Sequence, residues 1–136
     1  MNAIESPTVT RLLSQAGVEL AILFGSAATG KLGPDSDIDI GILLAPDREL
    51  DFHGELTLAT ELEPVLGREV DLVRLENAST LLRFEAAQGR CVLEARPGAF
   101  ADFAARALLE HEDLRPILLR CAAGMFSRLQ AAHDQA

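Results

Sequence analysis

Apolar residues recur along this chain in two rhythms, one of three to four residues and one of two. Val9, Leu12, Leu13 and Ala16 follow the first, between Ser6-Pro7 and Gly17. An N-cap, a proline at the first helical position and a terminal glycine together predict a short amphipathic helix over residues 7–16. Residues 18–24 then form an apolar run too short for a helix, which reads as a central strand buried on both faces. Residues 37–42, Asp-Ile-Asp-Ile-Gly-Ile, follow the second rhythm. As a strand they place Asp37 and Asp39 on one face and Ile38, Ile40 and Ile42 on the other. Over residues 51–66, Phe52, Leu56, Ala59, Leu62 and Val65 again predict a helix packed on a sheet. Pro64 is expected to kink it or end it early, because its ring collides with the carbonyl four residues back, and Gly67 is the stop.

The chain continues with a predicted strand over 68–75, with Val70 and Leu72 on one side and Asp71 and Val73 on the other. Asn77 or Ser79 can cap a helix running to Gln88 and closed by Gly89. Residues 91–95 read as a short strand at the sheet edge. From Gly98, Phe100, Phe103, Ala107 and Leu108 mark a further helix, divided by Pro116 from a piece carrying Ile117, Leu118, Cys121, Met125 and Leu129. Core packing, rather than docking onto a partner, is the favoured use of that C-terminal apolar surface.

With 136 residues and 49% hydrophobic content, the expectation is one domain over 1–136, with C-terminal helices from about 98 to 133. A second catalytic or base-binding domain does not fit, so part of the site or the substrate is expected to come from a partner. Lys and Arg number 12 against 21 Asp and Glu, a net charge of -9. A chain this acidic is repelled by phosphate backbones, which argues against nucleic acid as a direct partner and for a basic protein. No apolar run approaches the roughly 18 residues of a membrane span, and no signal-peptide pattern opens the chain. A cytoplasmic protein is expected. Cys91 and Cys121 have no metal or disulfide spacing and read as two buried free thiols. His53, His111 and His133 read as surface or helix-face residues, and Glu61-x-Glu63 and Glu110-x-Glu112-Asp113 as solvated helix faces.

The candidate chemistry lies between 24 and 42. Gly25 lets backbone approach a ligand closely, and Ser26 offers an N–H and a hydroxyl to phosphate oxygens. A helical turn from Ser26 to about Thr29 would face the same ligand with its N-terminus. Asp37 and Asp39, projecting together from a hydrophobic strand, repel each other unless a cation intervenes, and their hard oxygens suit Mg²⁺ or Mn²⁺. Asp71, again between apolar neighbours, offers a third ligand. Acids placed where strands disfavour them imply that a ligand compensates. Two other motifs fail. Gly25-x-x-x-x-Gly30-Lys31 approximates a phosphate-binding P-loop, but Leu32 supplies no hydroxyl for Mg²⁺ and Gly33-Pro34 blocks the required helix. Asp35-x-Asp37-x-Asp39 begins like a calcium loop, yet Ile40 and Pro46 occupy its glycine and glutamate positions.

Gly-Ser, ten residues, Asp-x-Asp and then a distant strand Asp resemble the polymerase-β-like nucleotidyltransferase superfamily, and within it the minimal nucleotidyltransferase (MNT) group. One position departs from the usual Gly-Ser-x-Ala-Arg-Gly: Thr29 stands where arginine is common, and Lys31 could supply the charge. The resemblance implies an α/β (α+β) fold, a small mixed sheet with helices mainly on one face and the Asp71 strand beside the Asp37 strand. It implies ATP with its β- and γ-phosphates on Gly25, Ser26 and Lys31. Asp37, Asp39 and Asp71 would hold two Mg²⁺ and carry catalysis, with Asp71 as proton acceptor. It also implies transfer of AMP to a protein hydroxyl, a tyrosine of a HEPN ribonuclease toxin, so that the chain is an antitoxin in a homo- or hetero-oligomer. The rival expectations are an antitoxin that neutralises by binding alone, through the Ile117 to Leu129 face, and an aminoglycoside-type nucleotidyltransferase, against which the short chain argues.

Overall fold

The computed structural model describes residues 3–25, 36–111, 120 and 124. The first helix, α1, spans Pro7–Gln15, and the Ser6 hydroxyl accepts a hydrogen bond from the Thr8 N–H at 3.2 Å, as its cap position requires. Gly17 turns the chain at φ 88° into strand β1, Val18–Phe24, of which every residue but Glu19 is buried. Strand β2, Ile38–Leu44, pairs antiparallel with β1. Helix α2, Phe52–Leu66, starts at Asp51, whose carboxylate accepts from the Gly54 N–H at 2.7 Å, and ends on left-handed Gly67. It crosses over to strand β3, Val70–Arg74, which therefore lies parallel to β2. Helix α3, Thr80–Ala87, edge strand β4, Arg90–Glu94, and helix α4, Ala99–Glu110, follow. The sheet order is β3-β2-β1-β4.

Alternation along β1 divides the core in two. Ala21 and Leu23 face α1 and α2 and pack with Val9, Leu13, Ile38, Ile40, Ile42, Leu58 and Leu62. Leu20, Ile22 and Phe24 face the other way, against Leu75 and the α3 and α4 residues Ala86, Ala99, Phe103 and Ala107. The expected mixed sheet is present. Helices on one face describe α1 and α2, and α3 and α4 add cover to the opposite face because β1 is apolar on both.

Three local expectations change. Pro64 does not shorten α2, which runs on to Leu66. Only the last turn follows the proline, and the Gly67 N–H, donating to the Glu63 carbonyl at 2.7 Å, closes the end. The strand expected over 68–75 gives way at Leu75 to a 3₁₀ turn, Leu75–Asn77, where the Glu76 carboxylate accepts from the Leu44 N–H at 2.9 Å. Glu110 is exposed on its helix, as read, and accepts from Arg83 at 3.2 Å. Cys91 is a free thiol, half-buried rather than fully buried, and burial first and Glu94 second push its pKa up. His53 is exposed on α2, and His111 stacks on Phe84 with ring centres 4.0 Å apart. Cys121, His133 and the expected helix from Ile117 to Leu129 lie outside the described residues. Among the described residues no helix is long and apolar enough to cross a membrane.

Candidate active site

The candidate residues meet where β1 ends and β2 and β3 begin. Antiparallel pairing sets Phe24 opposite Asp39, so the turn residue Gly25 arrives beside the Asp39 side chain. Parallel pairing sets Asp39 opposite Asp71, with Ile40 opposite Leu72 and Gly41 opposite Val73. Residues paired across strands share a face, so Asp39 and Asp71 project to the same side, while Ile38, Ile40, Val70 and Leu72 anchor both strands in the α1–α2 core. Asp37 sits one residue before β2 and is exposed, as is Asp71, whereas Asp39 is half-buried. That difference follows from position: Asp39 has strands on both sides, and Asp71 stands on the outer strand.

Asp39 is the electrostatic centre. Burial first, then the charges of Asp71, Asp37 and Glu85, raise its carboxyl above the ordinary carboxylate range. Asp39 thus feels the charge of the other three acids. Glu85, on α3, was not legible as a member of this group, because its sequence setting is an ordinary helix surface and only packing of Ala86 with Phe24 and Leu75 brings α3 over this end of the sheet. Gly25 lies in the left-handed region at φ 71°, and a Cβ placed on it would sit 2.6 Å from Asp39 Oδ2. Ser26, Thr29 and Lys31 lie outside the described residues.

Among the described residues no three His, Cys, Asp or Glu side chains are gathered tightly enough to hold a metal ion. The donor chemistry nevertheless fits one: carboxylate oxygens only, whose charges act on a half-buried Asp39, with Asp37 and Asp71 exposed. Such a set suits a hard divalent cation better than zinc or a soft metal, for which nitrogen or sulfur ligands would be needed.

A mixed sheet that brings acids from two neighbouring strands to the end of a glycine turn has the polymerase-β-like nucleotidyltransferase fold. Residues 8–97 match the polymerase beta, nucleotidyltransferase family, and this chain belongs to it. The protein adenylyltransferase MntA of Shewanella oneidensis is 43% identical over 65 residues, a match spanning 48% of this chain and 45% of that relative. A chain in the crystal structure of a toxin–antitoxin with AMP-PNP superposes with a TM-score of 0.69 at 28% identity, covering 93% of this chain and 99% of that one. A chain in the structure of a tri-AMPylated Shewanella oneidensis HEPN toxin in complex with MNT antitoxin gives 0.65 at 26% identity, with the same coverages of 93% and 99%.

Proposed function

We propose that this chain is a protein adenylyltransferase that moves AMP from ATP to a tyrosine hydroxyl of a HEPN-type toxin and so acts as its antitoxin, in the cytoplasm. The observation that carries the reading is the register pair Asp39–Asp71 beside Gly25. Family membership supports nucleotidyl transfer, and the relative named protein adenylyltransferase supports a protein acceptor. The AMP-PNP complex supports ATP as donor, and the AMPylated HEPN toxin supports the toxin as acceptor.

Each residue has a task in this reading. The Gly25 turn admits the triphosphate close to backbone, and Ser26 and Lys31 hold its β- and γ-phosphates. Asp37 and Asp39 hold magnesium, and Asp71 takes part from the neighbouring strand. Two Mg²⁺ ions, when bound, supply a lowered pKa for the acceptor hydroxyl and neutralise charge on the entering and leaving oxygens. Asp71 accepts the tyrosine proton. The tyrosine oxygen then bonds to the α-phosphorus as the bond to the bridging oxygen of the β-phosphate breaks, and pyrophosphate departs. The net charge of -9 favours a basic toxin surface over nucleic acid as direct partner.

Intact-mass spectrometry of the toxin after incubation with this chain, ATP and Mg²⁺ tests the proposal. Added AMP with the native chain and none with Asp39→Asn is the expected result. A toxin that is neutralised yet unmodified would establish antitoxin action by binding alone.

A further inference from the structure

Gly25 and Gly67 share the same positive φ, 71°, in different surroundings. A Cβ on Gly67 would meet nothing within 4 Å. On Gly25 it would lie 2.6 Å from Oδ2, 3.6 Å from Cγ and 3.9 Å from Cβ of Asp39. The obstructed atom is therefore the tip of a side chain with two rotatable bonds, which can swing aside at small cost to the fold. Swinging aside moves the carboxylate itself. Helix caps such as Gly67 need glycine for backbone reasons alone, whereas the Gly25 position carries both the backbone requirement and a steric one aimed at a single functional group.

We propose that Gly25 is a positioning residue, whose missing side chain lets the Asp39 carboxylate lie against the end of β1 and fixes where that carboxylate presents its oxygens to a divalent cation. This goes beyond a role in admitting phosphate, and it rests on the three-aspartate reading of the site. Asp39 is held by strand pairing on both sides of its backbone, through Phe24 and Asp71, so the backbone cannot compensate and the side chain must take up the whole displacement. A substitution at Gly25 should therefore reduce cation affinity before any nucleotide is present.

The test measures Mn²⁺ binding to the full chain without nucleotide or toxin, by the electron paramagnetic resonance signal of free Mn²⁺, with thermal melts alongside. Gly25→Ala should weaken Mn²⁺ binding about tenfold or more, the scale on which loss of ligand-orienting contacts acts. Gly67→Ala carries the same positive-φ penalty without the obstruction and should leave Mn²⁺ binding unchanged. Gly25→Asn tolerates the left-handed conformation better but still carries a Cβ, so it should lose affinity as Gly25→Ala does even where the latter folds poorly. Native-like Mn²⁺ affinity in either folded Gly25 variant, with affinity lost in Asp39→Asn, would overturn the inference and leave the site reading standing. Absence of Mn²⁺ binding by the native chain, or an unaffected Asp39→Asn, would overturn both.

Discussion

Gly41 lies on β2 two residues beyond Asp39 and on the same face, and a Cβ there would stand 2.8 Å from Leu75 Cδ2 and 3.0 Å from both Cδ1 and Cγ. Carbon atoms pack best at about 3.5–4.0 Å, so the added methyl is short of room by roughly half an ångström or more. Leu75 is 0% exposed, enclosed by Ile22, Phe24, Ala86 and Phe103 of its cluster, and has no open side to move into. Overpacking of this kind costs about 1–3 kcal/mol, against a gain of about 0.5–1 kcal/mol from replacing a strand glycine by alanine. Gly41→Ala should therefore destabilise the domain by about 0.5–2 kcal/mol net, read as a lowered urea midpoint at constant slope. Leu75 begins the turn that follows β3, so the displacement also pulls on the strand that carries Asp71. In the double variant Gly41→Ala/Leu75→Ala the methyl occupies space vacated by the leucine, and the two losses should fall short of additivity by about 1 kcal/mol. A Gly41→Ala protein within about 0.5 kcal/mol of native, or strict additivity, would refute the reasoning.

Asp39 ties the site to pH. Its folded-state carboxyl is raised by burial first and by Asp71, Asp37 and Glu85 next, so the folded chain holds that proton more tightly than the unfolded chain, whose ordinary value is 3.8. The resulting stabilisation is full below that value and is lost as pH rises through the raised one. Metal-free Asp39→Asn should accordingly melt above native at neutral pH, with the gap closing in acid, and equal melting at neutral pH would contradict the assignment. Arg83 donates to the Leu75 carbonyl at 2.6 Å and to Glu110 at 3.2 Å, and lies 5.2 Å from the Phe103 ring centre. Arg83→Ala should cost about 1–2 kcal/mol in denaturant unfolding, and a change below about 0.5 kcal/mol would show these contacts to be incidental.

Much of this fold was legible because its elements are short and sharply punctuated. The run from Val18 to Phe24 matched strand β1 at both ends, since Gly17 and Gly25 flank it. Ser6 and Ser79 cap helices as their side-chain chemistry predicts. Pro64 did not end its helix early: the helix runs two residues further, to Leu66, before Gly67 stops it. Sharing of a face by Asp37 and Asp39 could be read from period two, but the adjacency of Asp71 could not. It depends on α2 crossing back to lay β3 parallel to β2, which local pattern does not encode and which the family resemblance supplied. Glu85 and the contact between Gly25 and Asp39 were invisible for the same reason: each exists only through tertiary packing, of α3 over the sheet or of a turn against a neighbouring strand.

The central claim is that the acids gathered around Asp39 serve transfer of a nucleotidyl group rather than a phosphoryl group or mere binding. Its most direct test incubates the native chain and the HEPN-type toxin with Mg²⁺ and ATP labelled either at the α- or at the γ-phosphate, beside Asp71→Asn and a chelator control. Label on the toxin from α-labelled ATP alone, reduced by about a hundredfold or more in Asp71→Asn and absent with chelator, is the result predicted. Label from the γ-position, or a neutralised toxin without label from either, would contradict it.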